Sequence, residues 1–136
     1  MIGIVVVTHG NLAKELISAV NFVLAEKPRP KMTAVNLDTT KAIESFNDII
    51  SSSIKKVDNG EGVLLVTDMF GGTPSNISLT FLDNNQVEVI SGVNLPMLLK
   101  LATVNQDVSL KDAVKLAEKA GKENIIVASN LLNKKG

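Results

Sequence analysis

The chain has 136 residues, and its fourteen basic and fourteen acidic side chains leave no formal net charge at pH 7. This length suits one domain, whose core must be aliphatic because the chain has four Phe and neither Trp nor Tyr. The balanced charge and scarce aromatic residues argue against nucleic acid as a partner, and the lack of cysteine excludes disulfides and thiolate metal sites. No apolar run approaches the roughly 18 residues of a membrane helix, and no basic leader precedes the first apolar run, so we expect a cytoplasmic protein without direct membrane insertion.

The first part of the chain alternates β-branched runs with stretches of helical periodicity. Residues 2–7 are continuously apolar, which is typical of a strand buried on both faces of a parallel sheet. From Asn11 to Leu24 the apolar residues recur at helical spacing, and the prolines that follow end this predicted helix. Residues 32–37 predict a second strand. The next helix is predicted to be capped by Thr39 and Thr40 and to bury Ile43, Phe46, Ile50 and Ile54.

The alternation continues through the middle of the chain. Residues 62–67 predict a third strand and residues 87–91 a fourth. Between them, a helix is predicted to begin with Thr73 as its cap, because Pro74 suits the first helical position, and to run to about Leu82.

The last part of the chain predicts two helices and a strand. A short helix runs through Leu101, and Ser109 caps a longer helix that Gly121 is expected to stop. Residues 124–129 predict a last short strand. Strands that alternate with helices in this way predict an α/β fold in one domain, residues 1–136, with a doubly wound, mainly parallel sheet.

Three polar side chains follow predicted strand ends: His9, Asp68 and Asn94. In the flavodoxin-like strand order 2-1-3-4, the first and third strands are neighbours and the ligand crevice lies between them, so we expect His9 and Asp68 to lie within reach of each other. A carboxylate that accepts the proton of one imidazole nitrogen leaves the other nitrogen as a nucleophile. It also stabilises the positive charge that the ring acquires on attack.

The segment after Asp68 suits an anion. Gly71 and Gly72 allow the backbone to approach an anion closely, and Thr73 adds a hydroxyl at a helix N-terminus. Together with His9, these parts describe a histidine that accepts and returns a phosphoryl group. Such a transfer needs mainly in-line positioning and donors for the equatorial oxygens.

Each of these features also has a purely structural interpretation. A lone histidine is often a loop or core residue, Asp68 and residues 71–74 can serve as turn and cap, and Asn94 can support its own loop. The apolar neighbours are either core or, if they are exposed around the crevice, a docking rim: Met69, Phe70, Leu95 and Met97.

These residues belong to three motifs through which the sequence closely resembles the enzyme IIA domain of the mannose family of the bacterial phosphoenolpyruvate-dependent sugar phosphotransferase system. The motifs are Thr8–Gly10, Asp68–Asn76 and Gly92–Leu98. They occur in the order and spacing of the family, and the likeness covers nearly the whole chain.

The resemblance implies a phosphotransferase component with a phosphohistidine intermediate, and no metal or organic cofactor. His9 would take a phosphoryl group from the carrier protein HPr and pass it to the IIB component during sugar uptake through the membrane components IIC and IID. Asp68 corresponds to the carboxylate that orients the active histidine, and Thr73 stands where the family commonly has a serine that contacts the phosphoryl group. The expected phosphoryl-binding residues are Gly10, Gly71, Gly72 and Thr73.

The resemblance also implies a homodimer in which a C-terminal strand is exchanged, and residues 125–129 are the segment expected to form it. Four alternatives stay open. The nearest is the IIA-like phosphocarrier subunit of a phosphotransferase-dependent dihydroxyacetone kinase. The others are a receiver-like domain with Asp68 as acceptor, a small-molecule binder such as a flavin carrier, and a hydrolase using Ser91, which lacks the usual nucleophile elbow.

Overall fold

A computed structural model describes residues 1–38, 40–83 and 86–133 of the chain. Its strands are β1 (Gly3–His9), β2 (Met32–Leu37), β3 (Val63–Thr67) and β4 (Val87–Ser91). Its helices are α1 (Leu12–Val23), α2 (Ile43–Val57), α3 (Thr73–Leu79), α4 (Leu95–Ala102), α5 (Leu110–Glu123) and α6 (Ala128–Asn133). The four strands form one parallel sheet in the order β2-β1-β3-β4, which confirms the predicted fold class and strand order.

Side chains that alternate along the strands build a core on each face of the sheet. Ile4 and Val6 of β1 pack with residues of α1, α4 and α5 on one face. Val5 and Val7 pack with residues of α2 and α3 on the other face. Because helices cover both faces, the apolar runs of β1 and β3 are continuous rather than alternating.

The register of the central strands brings two loops to the same edge of the sheet. Val7 lies opposite Thr67 in the β1–β3 pair, and His9 lies opposite Leu37 in the β1–β2 pair. Asp68 therefore follows β3 immediately beside the last residues of β1, at the carboxyl edge where ligands of open α/β sheets bind.

The predicted cap and inner face of α2 are only partly correct. The N-cap is Ala42, which makes no side-chain hydrogen bond, and Thr40 instead donates its backbone N–H to Asp38 Oδ1 at 3.0 Å. Thr39 lies outside the described residues. Phe46 and Ile50 are buried and Ile54 packs against them, whereas Ile43 is 59% exposed because the first turn of α2 extends beyond the core.

The predicted limits of α3 are wrong at both ends. Gly72, not Thr73, is the N-cap, because Gly72 holds the extended conformation (φ −82°, ψ 171°) from which the helix starts. The helix ends at Leu79 rather than Leu82, since the backbone N–H groups of residues 80–82 donate to carbonyls three positions back, as in a tight turn.

The cap of α5 is as predicted, but its end is not. Ser109 accepts a hydrogen bond from the Asp112 backbone N–H at 3.1 Å. Gly121 does not stop the helix, which continues to Glu123. Its φ is not positive; a Cβ at Gly121 would come within 3.0 Å of Met97 Cε, so glycine serves the close packing of α5 on α4.

The predicted last strand at residues 124–129 is wrong for this chain. Residues 125–127 are irregular and α6 begins at Ala128. A strand needs a neighbour to pair with, and this segment leaves the sheet with Ile125 74% exposed. Within the described ranges, no helix is both long and apolar enough to cross a membrane.

Candidate functional site

His9 and Asp68 form a hydrogen-bonded pair at the carboxyl edge of the sheet. His9 Nδ1 lies 2.8 Å from Asp68 Oδ2. The His9 side chain is 48% exposed and the Asp68 side chain only 13%. The expected proximity of these two residues is thus confirmed, and the imidazole is the member of the pair that faces solvent.

The Asp68 carboxylate is held at both oxygens. Oδ2 also accepts the His9 backbone N–H at 3.0 Å, and Oδ1 accepts the Met69 backbone N–H at 3.0 Å. The carboxylate therefore cannot rotate without breaking hydrogen bonds, and it fixes the plane in which the imidazole can bond to it.

The electrostatics of the pair assign the proton on the imidazole. Partial burial raises the pKa of Asp68, but the hydrogen bonds from the His9 side chain and backbone and from Met69 together outweigh it and hold this pKa below its ordinary value. An ionised carboxylate only accepts hydrogen bonds, so Nδ1 must carry the proton. In the neutral ring, Nε2 then keeps its lone pair.

Thr8 and Gly10 shape the turn that presents His9. Thr8 is fully buried, and its hydroxyl accepts the Ala13 backbone N–H at 2.7 Å, which ties the first turn of α1 to β1. Gly10 has φ +54°, a left-handed conformation that favours glycine, and it donates its N–H to the Leu37 carbonyl at 3.1 Å. The Gly10 N–H is therefore already bonded to Leu37 and is not free to bind a ligand. What Gly10 contributes beside His9 is a turn without a side chain.

The glycine-rich loop lies directly against the imidazole. A Cβ built on Gly72 would stand 2.9 Å from His9 Cε1 and 3.5 Å from Nε2. Gly71 has φ +87°, and its carbonyl lies 3.4 Å from the Asn76 side-chain amide. Thr73, the next residue after Gly72, is exposed. Three of the four expected phosphoryl-binding residues, Gly71 to Thr73, thus belong to a loop that contacts the Cε1–Nε2 edge of the His9 ring through Gly72.

Asn94, the third polar residue at a strand end, serves α4 rather than His9. Its Oδ1 accepts the Met97 backbone N–H at 3.0 Å, which caps α4. Its Nδ2 donates to the Gly121 carbonyl at 3.0 Å. The structural interpretation of Asn94 is therefore the correct one.

The four apolar residues near the crevice divide into two pairs. Met69 and Phe70 are 56% and 76% exposed, respectively, in the loop after Asp68. Met97 is buried and Leu95 packs against the same core. Only the first pair can form a docking rim.

A cluster of hydroxyls behind the site was missed by the sequence reasoning. Thr67 Oγ1 lies 2.6 Å from Ser91 Oγ, and Ser75 Oγ lies 3.4 Å from the same atom. The Thr67 carbonyl also accepts the backbone N–H groups of Gly92 and Val93, both at 3.1 Å. The only signal in the sequence was that β3 and β4 each end in a hydroxyl residue. Their proximity becomes evident only when the β3–β4 register, which pairs Thr67 with Ser91, is known.

The hydroxyl cluster bears on one alternative function. The Ser91 hydroxyl contacts the Thr67 and Ser75 hydroxyls, and His9 is bonded to Asp68 instead. A serine nucleophile needs a base within hydrogen-bond reach, and Ser91 has no imidazole partner among the described residues. The geometry does not support a hydrolase.

Comparisons with known proteins identify relatives of this chain. The sequence profile of the family described as "PTS system fructose IIA component" matches residues 3–118. The chain is 32% identical over 126 residues to the mannose-specific EIIAB component of Escherichia coli (strain K12), covering 91% of this chain and 38% of that protein. It is 26% identical over 135 residues to the fructose-specific EIIA component of Bacillus subtilis (strain 168), covering 98% of this chain and 91% of that protein.

Solved structures share the fold. A phosphotransferase system component EIIA from Streptococcus agalactiae superposes with a TM-score of 0.83 at 22% identity, covering 96% of this chain and 99% of that one. The chain spans only 38% of the length of the mannose-specific EIIAB protein. The profile match over residues 3–118 nevertheless covers most of the chain, which therefore belongs to the mannose family of phosphotransferase system enzyme IIA components.

Proposed function

We propose that residues 1–136 act as a IIA phosphocarrier domain that takes a phosphoryl group from phospho-HPr on His9 and passes it to a IIB component during sugar uptake. The observation that carries this proposal is the 2.8 Å contact between His9 Nδ1 and Asp68, which leaves Nε2 as the nucleophile of an exposed imidazole. Membership of the family supports the same role.

The transfer is a displacement at phosphorus. The Nε2 lone pair of neutral His9 forms the new bond to phosphorus, while the bond from phosphorus to the donor breaks and its electron pair leaves with the donor. The imidazole becomes positively charged, and the carboxylate of Asp68, already ionised and bonded to Nδ1, stabilises that charge. Transfer to IIB repeats the displacement with His9 as the leaving group.

We propose that the phosphoryl oxygens lie on the side of the imidazole where Gly71, Gly72 and Thr73 pass. The Thr73 hydroxyl and the loop N–H groups supply donors there, and Gly10 leaves room at the rim. A depression of about 300 Å³ that His9 also lines includes Asp38. A hydrogen bond from the Thr40 backbone N–H holds the pKa of Asp38 below its ordinary value, and its charge would repel a phosphoryl group.

HPr and IIB would dock in turn on the same face. His9 lies at an open edge of the sheet, and the exposed Met69 and Phe70 beside it provide an apolar rim. We place the protein in the cytoplasm as a homodimer, linked through IIB to the membrane components IIC and IID.

A phosphorylation assay with phosphoenolpyruvate, enzyme I and HPr tests the proposal. Intact mass should show a gain of about 80 Da from one phosphoryl group, and the adduct should be labile to acid. His9→Gln should abolish the gain. Asp68→Ala should slow it by about tenfold or more, because a charged hydrogen bond of roughly 1.5–3 kcal/mol is lost.

The assay also separates the alternatives. Onward transfer to a IIB protein supports the transport role, whereas transfer only to a dihydroxyacetone kinase subunit would favour the nearest alternative. Undiminished labelling of His9→Gln would contradict the assignment, and a comparable adduct lost in Asp68→Ala but kept in His9→Gln would point to a receiver-like acceptor.

A further inference from the structure

The imidazole of His9 packs against the backbone of Gly72. A Cβ at residue 72 would lie 2.9 Å from His9 Cε1, 3.4 Å from Met69 Cγ and 3.5 Å from His9 Nε2. Carbon atoms in van der Waals contact are about 3.5–4.0 Å apart, so the first of these distances is a clash with an aromatic ring. The ring can give way only by turning or by leaving its place.

The backbone conformation of Gly72 does not require glycine. Its φ is −82° and its ψ is 171°, an extended conformation that any residue adopts. Gly71 differs, because its φ of +87° is one that other residues rarely adopt, while a Cβ there would meet nothing within 4 Å. The two adjacent glycines are thus favoured for different reasons. Gly71 adopts a backbone conformation that other residues rarely adopt, and Gly72 leaves the space that the His9 imidazole occupies.

The helix that follows would accept a different residue at position 72. Gly72 is the N-cap of α3, and the first turn of α3 has no side-chain cap hydrogen bond. Serine is among the residues preferred at an N-cap, because its hydroxyl accepts a backbone N–H of the first turn. Local helix stability therefore favours serine here, and the feature that disfavours it is the imidazole of His9.

We propose that Gly72 is a positioning residue for His9: the missing side chain lets the imidazole lie with Nδ1 on Asp68 and with Nε2 open to an incoming phosphoryl group. Asp68 holds one edge of the ring, and the Gly72 backbone limits the edge formed by Cε1 and Nε2. A side chain at residue 72 would push the ring off Asp68 or cover Nε2. The expected effect on phosphoryl transfer rests on the proposed function, whereas the effect on the position of the His9 ring is independent of that function.

Gly72→Ala and Gly72→Ser test the proposal with three measurements on the full chain. Nitrogen-15 spectra of the His9 imidazole report which ring nitrogen carries the proton, and we expect the single Nδ1–H form of the unsubstituted chain to be lost. Thermal unfolding should show only the small loss of stability expected from a weakened His9–Asp68 bond, and Gly72→Ser should be more stable than Gly72→Ala because its hydroxyl can cap α3. Phosphorylation by phospho-HPr should slow by roughly 10- to 100-fold, as expected when a reacting atom is misplaced by about 1 Å.

Gly71→Ala is the matched control. It adds the same methyl group one residue earlier, where nothing lies within 4 Å but φ is +87°. We expect backbone strain to lower its unfolding temperature and the imidazole resonances to stay in place, whereas the Gly72 variants should shift those resonances.

The outcomes distinguish this proposal from the proposed function. If both Gly72 variants keep the His9 resonances of the unsubstituted chain, Gly72 is not a positioning residue, whatever the phosphorylation rate. If the resonances shift while the unsubstituted chain takes no phosphoryl group from active HPr, the positioning role stands and the phosphocarrier function fails.

Discussion

Asp68 does two things for His9 at the scale of single residues. Its Oδ2 accepts both the backbone N–H and Nδ1 of His9, so one carboxylate oxygen orients the turn and the ring together. Its other oxygen is bonded to the Met69 backbone, which removes the freedom of the carboxylate to swing away. The orientation of the imidazole is therefore fixed by groups of this chain alone, as the proposed phosphoryl transfer would require.

The lowered pKa of Asp68 predicts how stability depends on pH. An unfolded aspartate has a pKa of about 3.9, and the folded value is lower, so the ionised form favours the folded state. This contribution is fully present above the unfolded pKa and is lost as the pH falls through the folded pKa. Urea unfolding of the unsubstituted chain and of Asp68→Asn should therefore differ most above about pH 5. The difference should begin to shrink near pH 4 and be smallest below the folded pKa.

An exposed carboxylate provides the control for this titration. Asp107→Asn removes the same charge from an exposed position in the loop before α5 and serves as the charge-matched variant. A difference for Asp68→Asn that stays constant or grows as the pH falls from 7 to 3 would contradict the assigned direction of the pKa.

At the scale of elements, one side chain joins α4 to α5. Asn94 caps α4 through Met97 and donates to the Gly121 carbonyl in the last turns of α5. Gly121 lets the helices approach there, since a Cβ would lie 3.0 Å from Met97 Cε. The loop after β4 thus anchors the end of α5, from which the C-terminal segment departs.

Asn94→Ala is expected to destabilise the fold while leaving the His9–Asp68 pair intact. The loss of the cap costs about 1 kcal/mol and the lost bond to Gly121 about 1 kcal/mol more, so urea unfolding should show a decrease of roughly 2 kcal/mol. Ser109→Ala removes a cap alone and should cost about 1 kcal/mol. A smaller effect for Asn94→Ala than for Ser109→Ala would show that the bridge contributes nothing.

At the scale of the whole molecule, the C-terminal segment exposes several large apolar side chains that are close together in the sequence. Five large apolar residues between positions 125 and 132 are exposed: Ile125, Ile126, Val127, Leu131 and Leu132. A cluster of this kind favours burial against another surface. Burial against the same segment of a second copy of the chain would remove these side chains from water.

We expect the protein to be a dimer whose assembly depends on this segment. Light scattering coupled to size-exclusion chromatography should give a mass twice the 14.5 kDa of one chain. Val127→Asp should shift the mass to that of the monomer, because a charge would have to be buried in the interface. Ile43→Asp changes an exposed apolar residue at the start of α2 and should leave the dimer intact. A monomeric unsubstituted chain, or a dimeric Val127→Asp, would contradict the prediction.

Patterns within a few residues were enough to predict much of the fold. The β-branched runs marked all four strands because helices cover both faces of the sheet, and Ser109 was recognisable as a cap because its partner lies three residues away. The start of α3 was misassigned by one residue, since either Gly72 or Thr73 satisfies the local rules and the extended φ and ψ belong to Gly72.

Local sequence patterns predicted the four strands of the sheet and a fifth strand that is wrong. With the flavodoxin-like strand order assumed, they also predicted that His9 and Asp68 lie close together at one edge. The tertiary structure was needed to show that the Gly10 N–H is bonded to Leu37, that Asn94 links α4 to α5, and that Gly72 lies against the imidazole. These contacts could not be predicted because hydrophobic periodicity indicates only which face of a helix or strand is buried, from residues a few positions apart. Contacts between residues tens of positions apart depend on register and packing distances of a few tenths of an ångström, which no local pattern carries.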